Sequence, residues 1–252
     1  MLDWSNNLLI ALQNNQPYPS LSDAHPEATV KDAYVIQRQF VSALEQSELW
    51  GQVVGYKAAV TAKQAQQAMG IDAGIMGVLF SHAASSSGCT LQLDKPTLLE
   101  TEIGFRIAKA ITQPVSIDNV ADYIGAYMPM IELAAPNLTQ RPNAIDLVAT
   151  NSASFGFIEG AAVKSRISAD IDSIQISQHH NATRAYTVRA GEVMEGQLYA
   201  LTWLINEVLH QGYKIQPGHL LITGSLGAML PAKPGNYRAE FAQLEEIEFT
   251  VA

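Results

Sequence analysis

The feature that most constrains the fold is a change in the pattern of apolar residues near residue 90. Before it, apolar residues recur at helical spacing, which predicts helices at residues 4–12, 30–44 and 61–69. After it, short apolar segments bounded by turn residues predict strands at residues 98–107, 126–133, 153–159, 171–177, 182–188 and 247–251. We therefore expect an α+β fold, with a helical N-terminal portion (1–90) and a β-rich catalytic body (91–252) forming one structural unit.

Local signals in the sequence predict further elements and their limits. Segment 52–60 is predicted to be a strand, whereas Gly70, Gly74 and Gly77 predict a loop further along. A helix is expected to begin at Pro142, because proline suits the first helical turn. The strongest helical stripe of the β-rich part is that of residues 196–210. A strand, 219–225, follows this helix.

Composition and charge exclude several classes of protein. The 252 residues carry a net charge of −9, and their lysines and arginines form no basic stripe, so a nucleic-acid surface is not expected. No run reaches the about 18 apolar residues of a membrane span, and the N-terminus lacks a basic segment. We expect a cytoplasmic protein that contacts neither nucleic acid nor membrane. The single cysteine, Cys89, cannot form an internal disulfide and is interpreted as inert.

Segment 98–107, LLETEIGFRI, is the most informative about chemistry. Alternate side chains of a strand point to opposite faces, so Glu100, Glu102 and Gly104 share one face. The Cβ atoms of the two glutamates would lie about 7 Å apart, within reach of one cation, and Gly104 would leave room for a ligand. Glu132 stands in an otherwise apolar stretch, where a carboxylate is costly to bury unless paired or metal-bound. The residues alone leave two alternatives: a site for a hard divalent ion, or a solvated edge strand.

Two further features have both a functional and an ordinary interpretation. Lys57 is the one charge in segment 52–60. It either extends its ammonium to solvent, or binds a substrate oxygen and moves protons. The Gly/Ser-rich segment 223–227 is either an ordinary turn or a loop that directs N–H groups at an anion. His179 and His180 predict a solvated hairpin tip, because neighbouring strand residues face opposite sides.

Seven runs of residues follow one another along the chain in an order that is typical of a known family. They are DAYVIQ (32–37), GYKAAVTAKQAQQAMGID (55–72), GVLF (77–80), ETEIGF (100–105), IEL (131–133), NSAS (151–154) and LLITGSLGAMLPAKPGN (220–236). In this order and spacing the chain resembles the 2-oxopent-4-enoate hydratase and 4-oxalocrotonate decarboxylase family, a branch of the fumarylacetoacetate hydrolase superfamily. The resemblance covers nearly the whole sequence.

The resemblance implies a mixed β-sandwich roll with a helical N-terminal portion. It also implies a Mg²⁺ or Mn²⁺ ion, whose expected ligands are Glu100, Glu102 and Glu132. The expected catalytic residues are Lys57 and Ser154, and the expected substrate-binding residues are Ser225 and Leu226.

One position departs from the family pattern. Hydratases of the family typically carry Asp-Phe-Gly where this chain has Ile75-Met76-Gly77. An isoleucine side chain cannot move a proton, and decarboxylase members tend to have an apolar residue there. Ile75 therefore argues against hydration and for decarboxylation or an altered substrate.

The function predicted from these features is that of a magnesium-dependent lyase. Its substrates would be small 2-oxo or 2-hydroxydienoic acids from the breakdown of aromatic compounds, and its reaction would be like that of 2-keto-4-pentenoate hydratase. One alternative is a 4-oxalocrotonate-type decarboxylase, favoured by Ile75. Others are an acylpyruvate-type C–C hydrolase, against which the DAYVIQ and GYK runs argue, and a non-catalytic protein that binds 2-oxo acids. A homo-oligomer is expected, as is common in the family.

Overall fold

The structure is a computed structural model that describes residues 4–163 and 169–252. Its α-helices are α1 Trp4–Gln13, α2 Leu21–Ala24, α3 Val30–Ser47, α4 Lys63–Met69, α5 Ala144–Ala149 and α6 Gln197–His210. A capping box starts α3: the Thr29 side chain accepts from the Asp32 N–H, and the Asp32 carboxylate accepts from the Thr29 N–H. Across the described ranges, no helix combines the length and apolar character needed to cross a membrane.

The strands make up two sheets. They are β1 Val53–Ala59, β2 Ile75–Phe80, β3 Ala84–Ser86, β4 Thr90–Leu91, β5 Leu98–Ile107, β6 Ile124–Ala134, β7 Ser154–Glu159, β8 Gln175–His180, β9 Thr183–Arg189, β10 Leu220–Ile222, β11 Leu226–Pro231, β12 Gly235–Phe241 and β13 Ile247–Val251. The larger sheet has the order β2-β1-β10-β5-β6-β7-β3, and β11 also pairs with β5. The smaller sheet has the order β4-β13-β12-β8-β9.

The larger sheet curls into a roll, and the link between its two outer strands shows why. The strands β2 and β3 stand at opposite ends of the order, so a flat sheet would separate them by about 29 Å. Only the short 3₁₀ turn Ser81–Ala83 joins them, and a link of that length spans about 14 Å at most. The ends of the sheet must therefore approach each other.

The two faces of the rolled sheet have different neighbours. The outer face belongs to the main hydrophobic core, to which the helices contribute. The inner face carries a separate apolar cluster: Leu79, Ala126, Met128, Met130, Phe157, Leu220 and Ile222. Strand pairing places this cluster on the same face as Glu102, because Met130 lies directly opposite Glu102. The inside of the roll is therefore apolar apart from a small number of charged side chains.

Most predicted elements are present, and strand 98–107 has the predicted bounds. The loop predicted around Gly77 is wrong, because this glycine lies inside the buried strand β2. A Cβ at Gly77 would lie 2.9 Å from the Asn151 carbonyl oxygen and 3.2 Å from Lys57 Cε, so the strand tolerates only glycine there. The predicted boundary at residue 90 does not separate two sheets. The strands β1 and β2 precede it and β10 follows it, yet all three belong to the larger sheet.

Two predicted element starts are also corrected. The strand predicted at 171–177 begins instead at Gln175, after the 3₁₀ turn Ala169–Ser173. The carboxylate of Asp172 in that turn accepts a hydrogen bond from the Gln197 N–H at 2.8 Å, which ties the turn to α6. The helix predicted from Pro142 starts at Ala144, because Asn143 caps it with its side chain.

Candidate metal centre

Three glutamates meet inside the roll. In β5, Glu100 and Glu102 are two residues apart, and Glu132 of β6 lies directly opposite Glu100. One carboxylate oxygen from each residue can be chosen so that all three lie within 4.8 Å of one another. Their exposed fractions are only 9% for Glu100, 0% for Glu102 and 1% for Glu132, so none of them is a solvated edge residue. The structure brings together the three carboxylates that the sequence predicts as ligands.

Lys57 joins the three carboxylates from the other side of the roll. In a flat sheet β1 and β6 would be about 14 Å apart, since β10 and β5 separate them. Because the sheet is curled, Lys57 Nζ lies 2.5 Å from Glu132 Oε1. The lysine is 2% exposed, so the alternative in which its ammonium reaches solvent is wrong. Gly77, opposite Lys57 in β2, leaves the space that its side chain fills.

Burial and mutual repulsion make this cluster electrostatically unusual. Burial, followed by the charge of Glu132, raises the pKa of Glu100 to about 7, while Lys57 and the Ser225 hydroxyl oppose the shift. The pKa of Glu102 is raised well above its ordinary value by burial and by the two neighbouring carboxylates. For Lys57, burial lowers the pKa, but the attraction of Glu132, Glu100 and Glu102 outweighs it and raises the pKa.

The donor set fits a hard divalent cation. Carboxylate oxygens are the ligands that Mg²⁺ and Mn²⁺ prefer. When all four groups are ionised, three carboxylates and one ammonium leave a net charge of −2, which a divalent ion neutralises. Glu102 Oε1 and Glu132 Oε2 are buried and have no hydrogen-bond partner within residues 4–163 and 169–252. Buried oxygens of this kind are costly unless something binds them, so Glu100, Glu102 and Glu132 are suited to hold such an ion.

A break in strand pairing gives the Glu102 carboxylate a backbone N–H partner. Strand β10 pairs with β5 as far as Gly104, and β11 resumes the pairing at Thr101. The segment between β10 and β11 leaves the sheet beside Glu102. There the Gly224 N–H donates a hydrogen bond of 2.6 Å to Glu102 Oε2. Loop 223–227 was predicted either to be an ordinary turn or to direct N–H groups at an anion. In the structure its Gly224 N–H points at a carboxylate of the protein itself.

The two residues predicted to bind substrate lie just after this break. The hydroxyl oxygen of Ser225 is buried and makes no hydrogen bond of normal geometry to any residue that the structure describes. Its side chain is close enough to Glu100 to affect the pKa of that carboxyl, so it borders the cluster. Leu226 packs its side chain into the main core, and its carbonyl accepts from Thr101 at 2.8 Å. The structure brings Ser225, but not the Leu226 side chain, to the carboxylates.

The hydroxyl of Ser154 is engaged in a hydrogen bond with strand β2. Its hydroxyl donates to the Val78 carbonyl at 2.9 Å. It follows a turn that sequence reasoning missed, in which Asn151, Ser152 and Ala153 have φ angles of 66°, 53° and 59°. Asn151 accepts from the Val78 N–H at 2.7 Å and donates to the Val78 carbonyl at 2.9 Å, as a neighbouring strand would. The sequence signal for this turn was the NSAS run, because asparagine and serine favour turns.

The space around the carboxylates is bounded by apolar residues. Gly104 leaves no room for a ligand, contrary to the prediction, because a Cβ there would lie 2.7 Å from Met130 Cγ. Ile75 is 1% exposed and shares a strand face with Gly77, which lies opposite Lys57. The side chain of Ile75 belongs to the main hydrophobic core, so the structure has an apolar residue, and no acid, at position 75.

The remaining predicted residues lie elsewhere. The histidine pair ends β8 in the smaller sheet, where the His180 ring stacks on Tyr237 with centroids 4.5 Å apart. Asn181 follows at the hairpin turn, as predicted. A cleft of about 1100 Å³ lies along the outside of α6, and no predicted site residue lines it.

Comparison with known proteins identifies sequence relatives along most of the chain. Residues 36–252 match the family profile described as "Fumarylacetoacetate (FAA) hydrolase C-terminal". The 2-keto-4-pentenoate hydratase of Paraburkholderia xenovorans (strain LB400) is 25% identical over 236 residues, which cover 92% of this chain and 87% of the relative. The 4-oxalocrotonate decarboxylase of Pseudomonas putida is 23% identical over 222 residues, covering 86% of this chain and 83% of the relative.

Among solved structures, matches to 4-oxalocrotonate decarboxylase extend over the whole molecule. The 4-oxalocrotonate decarboxylase from Pseudomonas putida G7, complexed with magnesium and adipate, has a TM-score of 0.91 to this structure at 21% identity. The superposition covers 100% of this chain and 97% of that chain. The predicted fold, an α+β roll with a helical N-terminal portion, is confirmed.

Proposed function

The chain belongs to the fumarylacetoacetate hydrolase family, and on this basis we propose that it is a metal-dependent lyase acting on small 2-oxo or 2-hydroxydienoic acids. The observation that carries the proposal is the burial of Lys57 against three converging carboxylates. The sequence relatives support it, since they include a hydratase and a decarboxylase. The acids concerned are of the kind produced when aromatic rings are cleaved.

The proposed cofactor is Mg²⁺ or Mn²⁺, held by Glu100, Glu102 and Glu132. When bound, the cation supplies Lewis-acid stabilisation of the negative charge that develops on the substrate's 2-oxo oxygen. Its charge also explains how a strongly acidic protein accepts an anionic substrate at a cluster of carboxylates. The solved decarboxylase complex with magnesium supports this assignment by analogy of fold.

The proposed role of Lys57 is to hold and transfer a proton beside the substrate. In the metal-free protein the surrounding carboxylates raise its pKa. A bound divalent cation would offset two of the three carboxylate charges and so weaken the attraction that raises this pKa, whereas burial, which lowers the pKa of a lysine, would remain. Lys57 can then give a proton to the substrate and recover it later. Ser225, whose hydroxyl has no hydrogen bond of normal geometry in the described structure, is placed to donate to a substrate oxygen.

Ser154 and Leu226, the other two predicted site residues, are proposed to act without a side-chain contact to substrate. Ser154 is proposed to act by supporting β2 next to Lys57, because its hydroxyl is engaged by Val78. Leu226 is proposed to help shape the substrate site through its backbone, which pairs with Thr101 between Glu100 and Glu102, because its side chain lies in the main core.

Hydration is the first candidate reaction. Water would add across the distal double bond of a 2-hydroxydienoate: a proton bonds to the terminal carbon and hydroxide bonds to its neighbour. The proton of the 2-hydroxyl group is replaced by one on C3, so that the dienol becomes a saturated 2-oxo acid. In this proposal the Lys57 ammonium supplies the proton that bonds to the terminal carbon. The relatives named as hydratases support this reaction.

Decarboxylation is the second candidate, and Ile75 favours it. The bond to a distal carboxylate would break, its electron pair would pass into the conjugated 2-oxo system, and carbon dioxide would leave. The dienolate that remains then takes up one proton. Bond cleavage here needs no acid at position 75, where the structure has a buried isoleucine.

Two substrates distinguish these reactions. The protein is incubated with 2-hydroxypenta-2,4-dienoate or with 4-oxalocrotonate, with Mg²⁺ or with EDTA, while ultraviolet absorbance and carbon dioxide are measured. Metal-dependent loss of dienoate absorbance supports hydration, and release of carbon dioxide from 4-oxalocrotonate supports decarboxylation. If folded protein with Mg²⁺ or Mn²⁺ turns over neither acid, the lyase proposal is wrong.

Self-association and a cytoplasmic location are further proposals that follow from the family resemblance. Light scattering coupled to size exclusion tests the first of them. A homo-oligomer would have a mass that is a multiple of the 27.3 kDa chain. A mass of one chain at micromolar concentration would contradict it.

A further inference from the structure

The orientation of Glu102 depends on a chain of buried polar contacts. Glu102 is fully buried, and its Oε2 is held by the Gly224 N–H. Its other oxygen, Oε1, has no hydrogen-bond partner in the described part of the chain. The position of Gly224 therefore decides which carboxylate oxygen is held by the protein and which is free to bind a cation.

Gly224 is itself confined. Its φ angle is +114°, where residues with side chains are strained. A Cβ there would lie 2.5 Å from Thr61 Cγ2. The residue before it, Thr223, is also fully buried, and its hydroxyl lies 2.7 Å from Gln197 Oε1 and 3.3 Å from the Ile103 carbonyl. Thr223 thus connects the segment carrying Gly224 to Gln197, the first residue of α6.

Gln197 determines where the Thr223 proton points. Its Nε2 donates to the Ala190 carbonyl at 2.6 Å, and a carbonyl can only accept. The Oε1 atom must therefore face Thr223, whose single hydroxyl proton goes to this nearer acceptor. The Gln197 N–H is bound in turn by Asp172. Gln197 is fully buried in the first turn of α6, so the side chain is anchored at both ends.

We propose that Gln197 and Thr223 are positioning residues for the metal ligand Glu102. They hold the backbone so that the Gly224 N–H engages one oxygen of Glu102 and leaves the other for the cation. This inference rests on the proposed function, because it assigns a role to residues that surround the proposed metal site. Losing a group that hydrogen-bonds a metal ligand typically weakens metal binding about 10- to 100-fold, and Thr223 acts on such a group, the Gly224 N–H.

The experiment compares Thr223→Val with Thr223→Ser and with a matched control. The control is Thr202→Val in α6, because the Thr202 hydroxyl also donates to a carbonyl, that of Leu198 at 2.7 Å, without contacting this network. Binding of Mg²⁺ alone is measured by calorimetry, and that of Mn²⁺ alone by electron paramagnetic resonance. Unfolding in EDTA measures stability separately.

We expect Thr223→Val to weaken Mg²⁺ binding about tenfold or more, Thr223→Ser to restore it to within about twofold, and Thr202→Val to leave it unchanged. Unchanged binding in folded Thr223→Val overturns the positioning role but leaves the proposed metal site intact. If the wild-type protein binds neither ion, both proposals fail. Should Thr223→Val not fold, Gln197→Met serves instead, with the same expected loss and the same contradicting result.

Discussion

Lys57 shows at the level of one residue how position determines chemistry. A lysine in a strand of small residues could equally have reached solvent, but the curl of the sheet places it against Glu132. We expect Lys57→Met to lower catalytic turnover about 10²- to 10⁴-fold, because the proton-transferring group is lost. Mg²⁺ affinity, measured by calorimetry, should stay the same or increase, because a positive charge is removed beside the ligands.

The control for this variant is Lys95→Met. Lys95 is also largely buried, with Nζ 5.0 Å from the centre of the Phe155 ring. This variant should keep both turnover and Mg²⁺ affinity. Weaker Mg²⁺ binding in Lys57→Met, or undiminished turnover, would contradict the role given to Lys57.

Glu102 combines a stability cost with a binding function. Its charge is buried beside two other carboxylates, which raises its pKa. We expect Glu102→Gln to raise the Tm of the metal-free protein, because the repulsion is relieved, and to lower Mg²⁺ affinity at least about 100-fold. Thermal unfolding in EDTA and in Mg²⁺ measures both effects. A variant that gains as much stability from Mg²⁺ as the wild-type protein does would exclude Glu102 as a ligand.

The raised pKa of Glu100 predicts how the stability of the metal-free protein depends on pH. Its pKa is raised from 4.5 to about 7 in the folded metal-free protein, chiefly by burial. Between these values the folded protein retains a proton that the unfolded chain has released. The free energy of unfolding in EDTA should therefore fall as pH rises from about 4.5 to about 7. Urea denaturation across this range is the measurement, and Glu100→Gln should flatten the dependence.

At the level of elements, the left-handed turn 151–153 supports β2. Three consecutive residues with side chains have positive φ, each at a cost of about 1 kcal/mol or more. The Asn151 side chain offsets this cost by satisfying both backbone groups of Val78, next to Gly77 and thus near Lys57. The turn therefore pairs with the outermost strand β2 in the way that a further strand would.

This arrangement allows a matched comparison. Asn206 makes the same pair of bonds to the N–H and carbonyl of Val115, at 2.8 and 2.9 Å. We expect Asn151→Ala and Asn206→Ala each to lower the free energy of unfolding by about 2 kcal/mol, because backbone groups lose their partners. Only Asn151→Ala should also reduce turnover in the folded protein. Equal turnover in the two variants would show that the turn affects stability alone.

For the molecule as a whole, the metal should contribute substantially to stability. Binding only the folded state at a concentration 100 times the Kd stabilises a protein by about 2.7 kcal/mol. For a chain of this size, that corresponds to a Tm increase of about 5–10 °C. Thermal unfolding with Mg²⁺ and with EDTA should show this difference. The absence of any increase with Mg²⁺ or Mn²⁺ would argue against a metal centre.

Much of the fold was predictable from local patterns, and the failures have physical causes. The bounds of β5 follow from alternation and flanking polar residues, which are local properties. Gly77 was misread because glycine usually marks a loop, whereas here it makes space for Lys57 and Asn151. Gly104 was misread for a similar reason, since Met130 from the neighbouring strand fills the space. In both cases the decisive atoms come from residues distant in sequence.

The sequence by itself determined which glutamates share a strand face, because side-chain direction on a strand depends only on whether two positions are an even number apart. Its family resemblance also pointed to Glu132 and Lys57. Only the tertiary structure decided that Lys57 touches Glu132 and that Gly224 holds one oxygen of Glu102. These contacts depend on the order of strands and on the curl that closes the sheet. Both arise from hydrogen bonds and packing between residues far apart in the chain, which no local pattern specifies.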